Sequence, residues 1–118
     1  MEFDYKKSVP LEQRQSDFKK VMETNKGRIP IICERCPGST APVIQKKKFL
    51  VPPEMRVGQF GEIIRRKMEL SKEAALFFLV NGTHSLSGNQ LMSEVYDKFK
   101  DPEDSFLYIG YSNEMVWG

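Results

Sequence analysis

Cys33-Glu34-Arg35-Cys36 is the one spacing in this chain that could hold a metal or cycle a disulfide. Structural zinc asks for four ligands, and a redox pair asks for a strand-to-helix setting with an activated thiol. The chain has two cysteines and one histidine, His84 in a polar stretch, so a zinc site would need distant or intermolecular ligands. The expectation is two ordinary thiols, with no metal and no cofactor. There is no phosphate-cradling Gly-rich loop, no dinucleotide fingerprint, and no Ser/His/Asp set beyond that single His. The chain does not read as an enzyme, so binding has to carry its function.

The candidates for binding are charged. Residues 27–72 hold ten basic and four acidic side chains and residues 73–118 hold two and seven, an asymmetry that the net charge of +2 conceals. A basic middle against an acidic end favours acidic partners, because summed charge steers encounter and register. The densest basic run is Lys46-Lys47-Lys48, with Arg28 nearby. Lysines in such a run also guard an exposed strand edge against aggregation. Charge alone leaves open a basic module for microtubules or nucleic acid.

These residues need a frame. At 118 residues and 40% hydrophobic composition, with eight Phe and six Met, the chain is suited to one core and is not a disordered segment. The longest apolar run, Ala74 to Val80, is far shorter than the roughly 20 residues that cross a bilayer. The opening Met1-Glu2-Phe3-Asp4-Tyr5-Lys6-Lys7 has no apolar signal region, and Glu2 excludes the glycine of N-myristoylation. Two cysteines fit a reducing cytosolic or nuclear compartment.

Along the chain, Pro10 suits a first helical turn, and Leu11, Phe18, Val21 and Met22 trace one helical face until Gly27. From Arg28 to Cys36 the period becomes two, which predicts a strand that Pro30 marks as non-central or locally unpaired. Lys46 to Val51 predicts a second strand, ended by Pro52-Pro53. Val57, Phe60, Ile63, Ile64, Lys67 and Met68 predict a buried central helix, with Arg56 a poor cap. Ala75 to Val80 predicts a strand reversing at Asn81-Gly82. Leu91, Met92, Val95, Tyr96 and Phe99 form a further helical face, with Ser87 or Asn89 as candidate caps, and Phe106 to Tyr111 is the last strand. This order is α+β and matches a ubiquitin-like β-grasp with an N-terminal helical extension.

The sequence resembles the autophagy-related ubiquitin-like modifiers, the relatives of the GABA-receptor-associated protein. The resemblance lies in Arg28-Ile29-Pro30, Lys46 through Pro52, Val57-Gly58-Gln59-Phe60, Ala75 through Asn81, Phe106 through Ser112, and the aromatic-Gly end. It implies a helical extension over 1–26, a β-grasp core over 27–111 and a flexible conjugation tail over 112–118, in one structural domain. It further implies that Gly118 is joined by an amide to phosphatidylethanolamine on autophagosomal membranes, the only group the chain would carry. A terminal glycine suits this, because its unhindered carboxylate can be activated and attacked. Activating and conjugating enzymes and a processing cysteine protease are the implied partners. The chain is their substrate, monomeric and cytoplasmic until lipidated, and nucleic acid is not an expected partner.

The resemblance also implies docking of W/F/Y-x-x-L/I/V peptides of receptors and adaptors, which add a strand to a sheet edge. The aromatic anchor would meet Asp17, Val21, Pro30, Ile32, Lys48, Leu50 and Phe106. The aliphatic anchor would meet Phe49, Val51, Pro52, Met55, Phe60 and Ile63. Arg28, Lys46 and Lys47 would attract acidic flanks. Strand alternation supports the split, since Lys48, Leu50 and Pro52 project opposite to Phe49 and Val51, with Pro52 bending the chain between the sites. Three departures from the family pattern stand out: a longer 81–88 loop without paired prolines, Trp117 before the glycine, and Asp17 where glutamate is common. Asp17 shortens the reach towards an indole N–H, which favours other anchors.

Overall fold

Alternation and helical periodicity produce the expected frame, with two elements added, in a computed structural model whose described residues are 1–114. The elements are α1 (Asp4–Ser8), α2 (Leu11–Thr24), β1 (Ile29–Arg35), β2 (Lys48–Val51), α3 (Val57–Met68), β3 (Phe77–Val80), β4 (His84–Ser85), α4 (Met92–Phe99) and β5 (Leu107–Ser112). The five strands form one mixed sheet in the order β2-β1-β5-β3-β4. β1 runs antiparallel to β2 and parallel to β5. The expectations for Trp117 and Gly118 fall outside the described residues.

β1 is not an edge strand, contrary to one reading of Pro30, because β2 and β5 flank it. The Cys33 N–H donates to the Lys47 carbonyl (2.8 Å), so odd residues of β1 bond towards β2 and even ones towards β5. Pairing with β5 begins only at Ile31↔Leu107, one residue after Pro30. The missing proline N–H thus falls where no ladder yet exists. Pro30 is accommodated by its unpaired β5-facing side, while it still pairs with Leu50 of β2.

The sheet has two covered faces. Ile29, Ile31, Phe49, Val51, Phe60, Ile64, Val80, Val95 and Ile109 belong to the core cluster between the sheet and α3 with α4. On the other face Phe3, Tyr5, Ile32, Phe106 and Tyr108 form a second buried cluster, with Phe18 packed against it. Phe106 meets Tyr5 and Phe18 edge-on, at centroid distances of 5.5 and 5.8 Å. α2 keeps its apolar side only half-buried, and its one buried residue is Arg14. That guanidinium donates to Asp104 Oδ2 (2.9 Å) and to the carbonyls of Val9 (2.7 Å) and Lys6 (3.2 Å).

Local signals explain the ends. Gln59 Oε1 accepts the Arg56 N–H (2.9 Å), so α3 is capped from within despite the poor cap residue. Asn81 and Gly82 both take positive φ, 57° and 75°, as the tight reversal between β3 and β4 requires. α4 starts after Leu91 and not from Ser87 or Asn89. The Ser87 N–H is instead taken by Gln90 Oε1 (2.6 Å), which shapes the loop before the helix.

Candidate functional site

β2 pairs with β1 on one side, and its outer edge has no strand partner among the described residues. The register Pro30↔Leu50 and Ile32↔Lys48 puts these four residues on the α1/α2 face, while Ile29↔Val51 and Ile31↔Phe49 lie on the α3/α4 face. The open edge therefore separates two patches.

The first patch joins α2, β1, β2 and the residue before β5. Asp17 and Val21 sit one turn apart on α2, Ile32 and Phe106 form a buried floor, and Leu50 is half-buried. Lys48 Nζ lies 3.4 Å from Asp17 Oδ2. It also stands 5.0 Å from the centre of the Tyr5 ring. The Tyr5 hydroxyl donates to Asp17 Oδ2 (2.8 Å), and Gln13 Nε2 donates to Oδ1 (2.9 Å). Burial pushes the Asp17 carboxyl up, but the donors Gln13 and Tyr5 and the Lys48 ammonium outweigh it and hold the group below its ordinary value. Burial, and then the Asp17 partner, push the Tyr5 phenol well above its own.

Tyr5 and Gln13 are members of this patch to which no sequence pattern pointed directly. The i, i+4 spacing of Gln13 and Asp17 was a usable signal. For Tyr5 there was none, because α1 was not legible and the contact spans twelve residues.

The second patch is walled by the core. Phe49, Val51 and Phe60 are almost fully buried, with Phe49 and Phe60 edge-on at 5.6 Å. Met55 packs on the same cluster. Pro52, Met55 and Ile63 offer the half-exposed surface here, and the buried three support it from behind. Lys46 and Lys67 place their ammonium groups 5.2 and 5.9 Å from the Phe49 ring centre.

The flanking cations differ from one another. Arg28 and Lys46 are exposed. Lys47 is half-buried and directed at α1, 3.6 Å from Asp4 and 3.9 Å from Glu34. Glu34 in turn accepts the N–H groups of Asp4 (2.7 Å) and Tyr5 (3.0 Å), tying α1 to β1. Lys47 thus spends part of its charge inside the chain.

Cys33 lies in the core, where burial pushes its thiol far above the ordinary range; burial also raises that of half-buried Cys36. That is the opposite of an activated thiolate. At the same end of the sheet as Cys36, Asn113 is clasped by the 39–40 loop: its Oδ1 accepts Ser39 Oγ (3.0 Å) and the Thr40 N–H (3.2 Å). The last described residues are thereby anchored to the β1–β2 connection.

Comparison with known proteins bears on this geometry. The sequence profile of the family described as "Autophagy protein Atg8 ubiquitin like" matches residues 13–118. The chain belongs to the Atg8 family. It is 40% identical to Autophagy-related protein 8 of Candida glabrata over 118 residues, covering all of this chain and 98% of that one. The same identity relates it to Autophagy-related protein 8 of Saccharomyces cerevisiae, 99% of which is covered. The crystal structure of Trypanosoma brucei ATG8 is similar over the full length of both chains, with a TM-score of 0.90 at 42% identity. The fold is accordingly the ubiquitin-like fold of Atg8 with N-terminal helices, and the chain is an autophagy ubiquitin-like modifier. Among the described residues no helix is long and apolar enough to cross a membrane.

Proposed function

We propose that this Atg8-family chain is conjugated through Gly118 to phosphatidylethanolamine on autophagosomal membranes and there docks W/F/Y-x-x-L/I/V peptides of receptors and adaptors. The observation that carries the docking reading is the open edge of β2, which divides a patch with an acid and an aromatic floor from an apolar patch walled by Phe49 and Phe60. A peptide added as a strand would satisfy that edge and send alternate side chains to the two patches. Conjugation draws its support from family membership, the family match extending through Gly118. The chain itself supplies no catalysis in this scheme; the activating and conjugating enzymes and the cysteine protease do.

Two buried anchors contribute roughly 1.5–3 kcal/mol each, and the main-chain hydrogen bonds of an added strand and the basic flank must supply the rest against the several that ordering a flexible peptide costs. Affinity around micromolar, on the order of −8 kcal/mol, is expected. Lys46→Glu is the clean test of charge steering, since Lys48 also pairs with Asp17. It should slow association with acidic-flanked peptides at low salt, and an unchanged on-rate would remove the charge role.

The decisive experiment recovers the protein from starved cells and analyses its C-terminal peptide by lipid mass spectrometry beside Gly118→Ala. Phosphatidylethanolamine on Gly118, lost in the variant, is the expected result. A free terminus in a protein that still binds the peptides would leave a docking module without conjugation.

A further inference from the structure

We propose that Tyr5 and Gln13 set the anchor preference of the first patch, by occupying acceptor directions of Asp17 so that an indole loses the hydrogen-bond advantage it would otherwise hold over a phenyl-type anchor, Phe or Tyr. The inference rests on the docking reading above. Of the seven residues assigned to that patch, Asp17 alone carries a side-chain hydrogen-bond acceptor; the others are Val21, Pro30, Ile32, Lys48, Leu50 and Phe106. A tryptophan entering it buries an N–H that only Asp17 could receive among those side chains.

A carboxylate offers about four lone-pair directions. Three are already taken. Oδ2 accepts the Tyr5 hydroxyl at 2.8 Å and faces the Lys48 ammonium at 3.4 Å, while Oδ1 accepts the Gln13 amide at 2.9 Å. The short aspartate is further held back towards α1 by Tyr5, whose ring is itself fixed edge-on against Phe106. An indole is left the one remaining direction, on Oδ1 beside the Gln13 amide, or has to displace Lys48 from Oδ2. A phenyl ring needs no acceptor, and a phenol can accept from the Lys48 ammonium. Tyr5 and Gln13 touch no ligand atom in this scheme; they are positioning residues acting through Asp17.

The test uses two acidic-flanked peptides that differ only in Trp-x-x-Leu against Phe-x-x-Leu, titrated into the full chain by calorimetry. Wild type should bind them within about threefold of each other, the missing acceptor offsetting the larger area of the indole. Tyr5→Phe should raise the Trp:Phe affinity ratio by about fivefold or more, and the exposed change Gln13→Ala should raise it by a smaller factor. Loosening of α1 would weaken both peptides alike and leave the ratio unmoved, so the ratio isolates the acceptor effect. Should Tyr5→Phe unfold α1, Gln13→Ala decides alone. A tenfold Trp preference already in wild type, or a ratio indifferent to both variants, overturns the proposal. If neither peptide binds wild type, the docking reading itself fails, and this inference with it.

Discussion

On the α3/α4 face the sheet is covered by a continuous apolar cluster running from Ile29 and Phe49 through Phe60 and Ile64 to Val95 and Tyr111. On the α1/α2 face five buried residues, Phe3, Tyr5, Ile32, Phe106 and Tyr108, carry the apolar contact. The rest of that second contact is polar and directional. Arg14 and the Tyr108 hydroxyl both donate to Asp104, which is fully enclosed; Lys6 pairs with Asp101; Glu34 caps α1. Non-directional burial gives the first face its stability, whereas paired charges give the second its register. A surface that must present Asp17 and Lys48 at fixed positions beside an open strand gains from the second arrangement.

The largest expected effect lies on the apolar face. Phe60→Ala removes a fully buried ring that touches Phe49 and Phe78, and should destabilise the whole chain by about 3–5 kcal/mol in denaturant titration. Asp104→Ala leaves the Arg14 guanidinium buried without its carboxylate, at a cost of about 3 kcal/mol. Its signature should differ in place. Hydrogen exchange should speed up first in α1 and α2, with β1, β3 and β5 still protected. Uniform loss of protection in both variants would mean that the two faces unfold as one unit and the contrast has no energetic meaning.

A third test concerns the phenols of both faces. All four tyrosines, Tyr5, Tyr96, Tyr108 and Tyr111, are pushed above the ordinary phenol value, in each case first by burial. A group raised in the folded state contributes stability that is complete below its unfolded value, about 10, and lost as pH rises towards the folded one. Phenolate absorbance should therefore stay flat through pH 10 and then rise together with the loss of circular dichroism. A separate early phase would identify a tyrosine free to ionise in place. Tyr5→Phe and Tyr108→Phe should move the joint transition upward if the α1/α2 face opens first.

Legibility in the sequence follows the same division. The apolar face was readable because Phe60 and Ile64 on α3, and Ile31 and Cys33 on β1, repeat at the periods their elements impose. The alternation that separates Lys48 and Leu50 from Phe49 and Val51 was readable for the same reason. The N-terminal face was not. Tyr5 meets Asp17, Arg14 meets Asp104 and Asp4 meets Glu34 across separations of 12, 90 and 30 residues, and no local pattern encodes such pairs. α1 has five residues, too few for a hydrophobic period, and owes its place to tertiary contacts. β4 has two, both exposed, and exists because the Asn81-Gly82 turn folds it back on β3. Pro30 left two readings, a non-central strand or a locally unpaired residue, and the second holds; sequence could not choose because it does not tell where a neighbouring ladder begins.

The smallest effect should appear in acid, and on one face only. Asp101 and Asp17 are both held below the ordinary carboxyl range: burial alone would raise them, but Lys6 and the backbone N–H groups of Asp104 and Glu103 outweigh it at Asp101, as Gln13, Tyr5 and Lys48 do at Asp17. A depressed carboxylate contributes stability that is complete above its unfolded value, about 3.9, and lost as pH falls through the lower folded value. Both groups tie α1 to the rest of the chain, Asp101 through Lys6 and Asp17 through Tyr5. Below about pH 4 the α1/α2 face should therefore loosen while the apolar cluster persists. Ring resonances of Tyr5 should shift in NMR spectra before those of Phe60. Asp17→Asn together with Asp101→Asn should flatten that early shift, because a neutral amide has no proton to gain. Simultaneous movement of both rings would instead mean that α1 is held by its aromatic contacts, Phe3 on Tyr108 and Tyr5 on Phe106, and that the ion pairs set its register without adding to its stability.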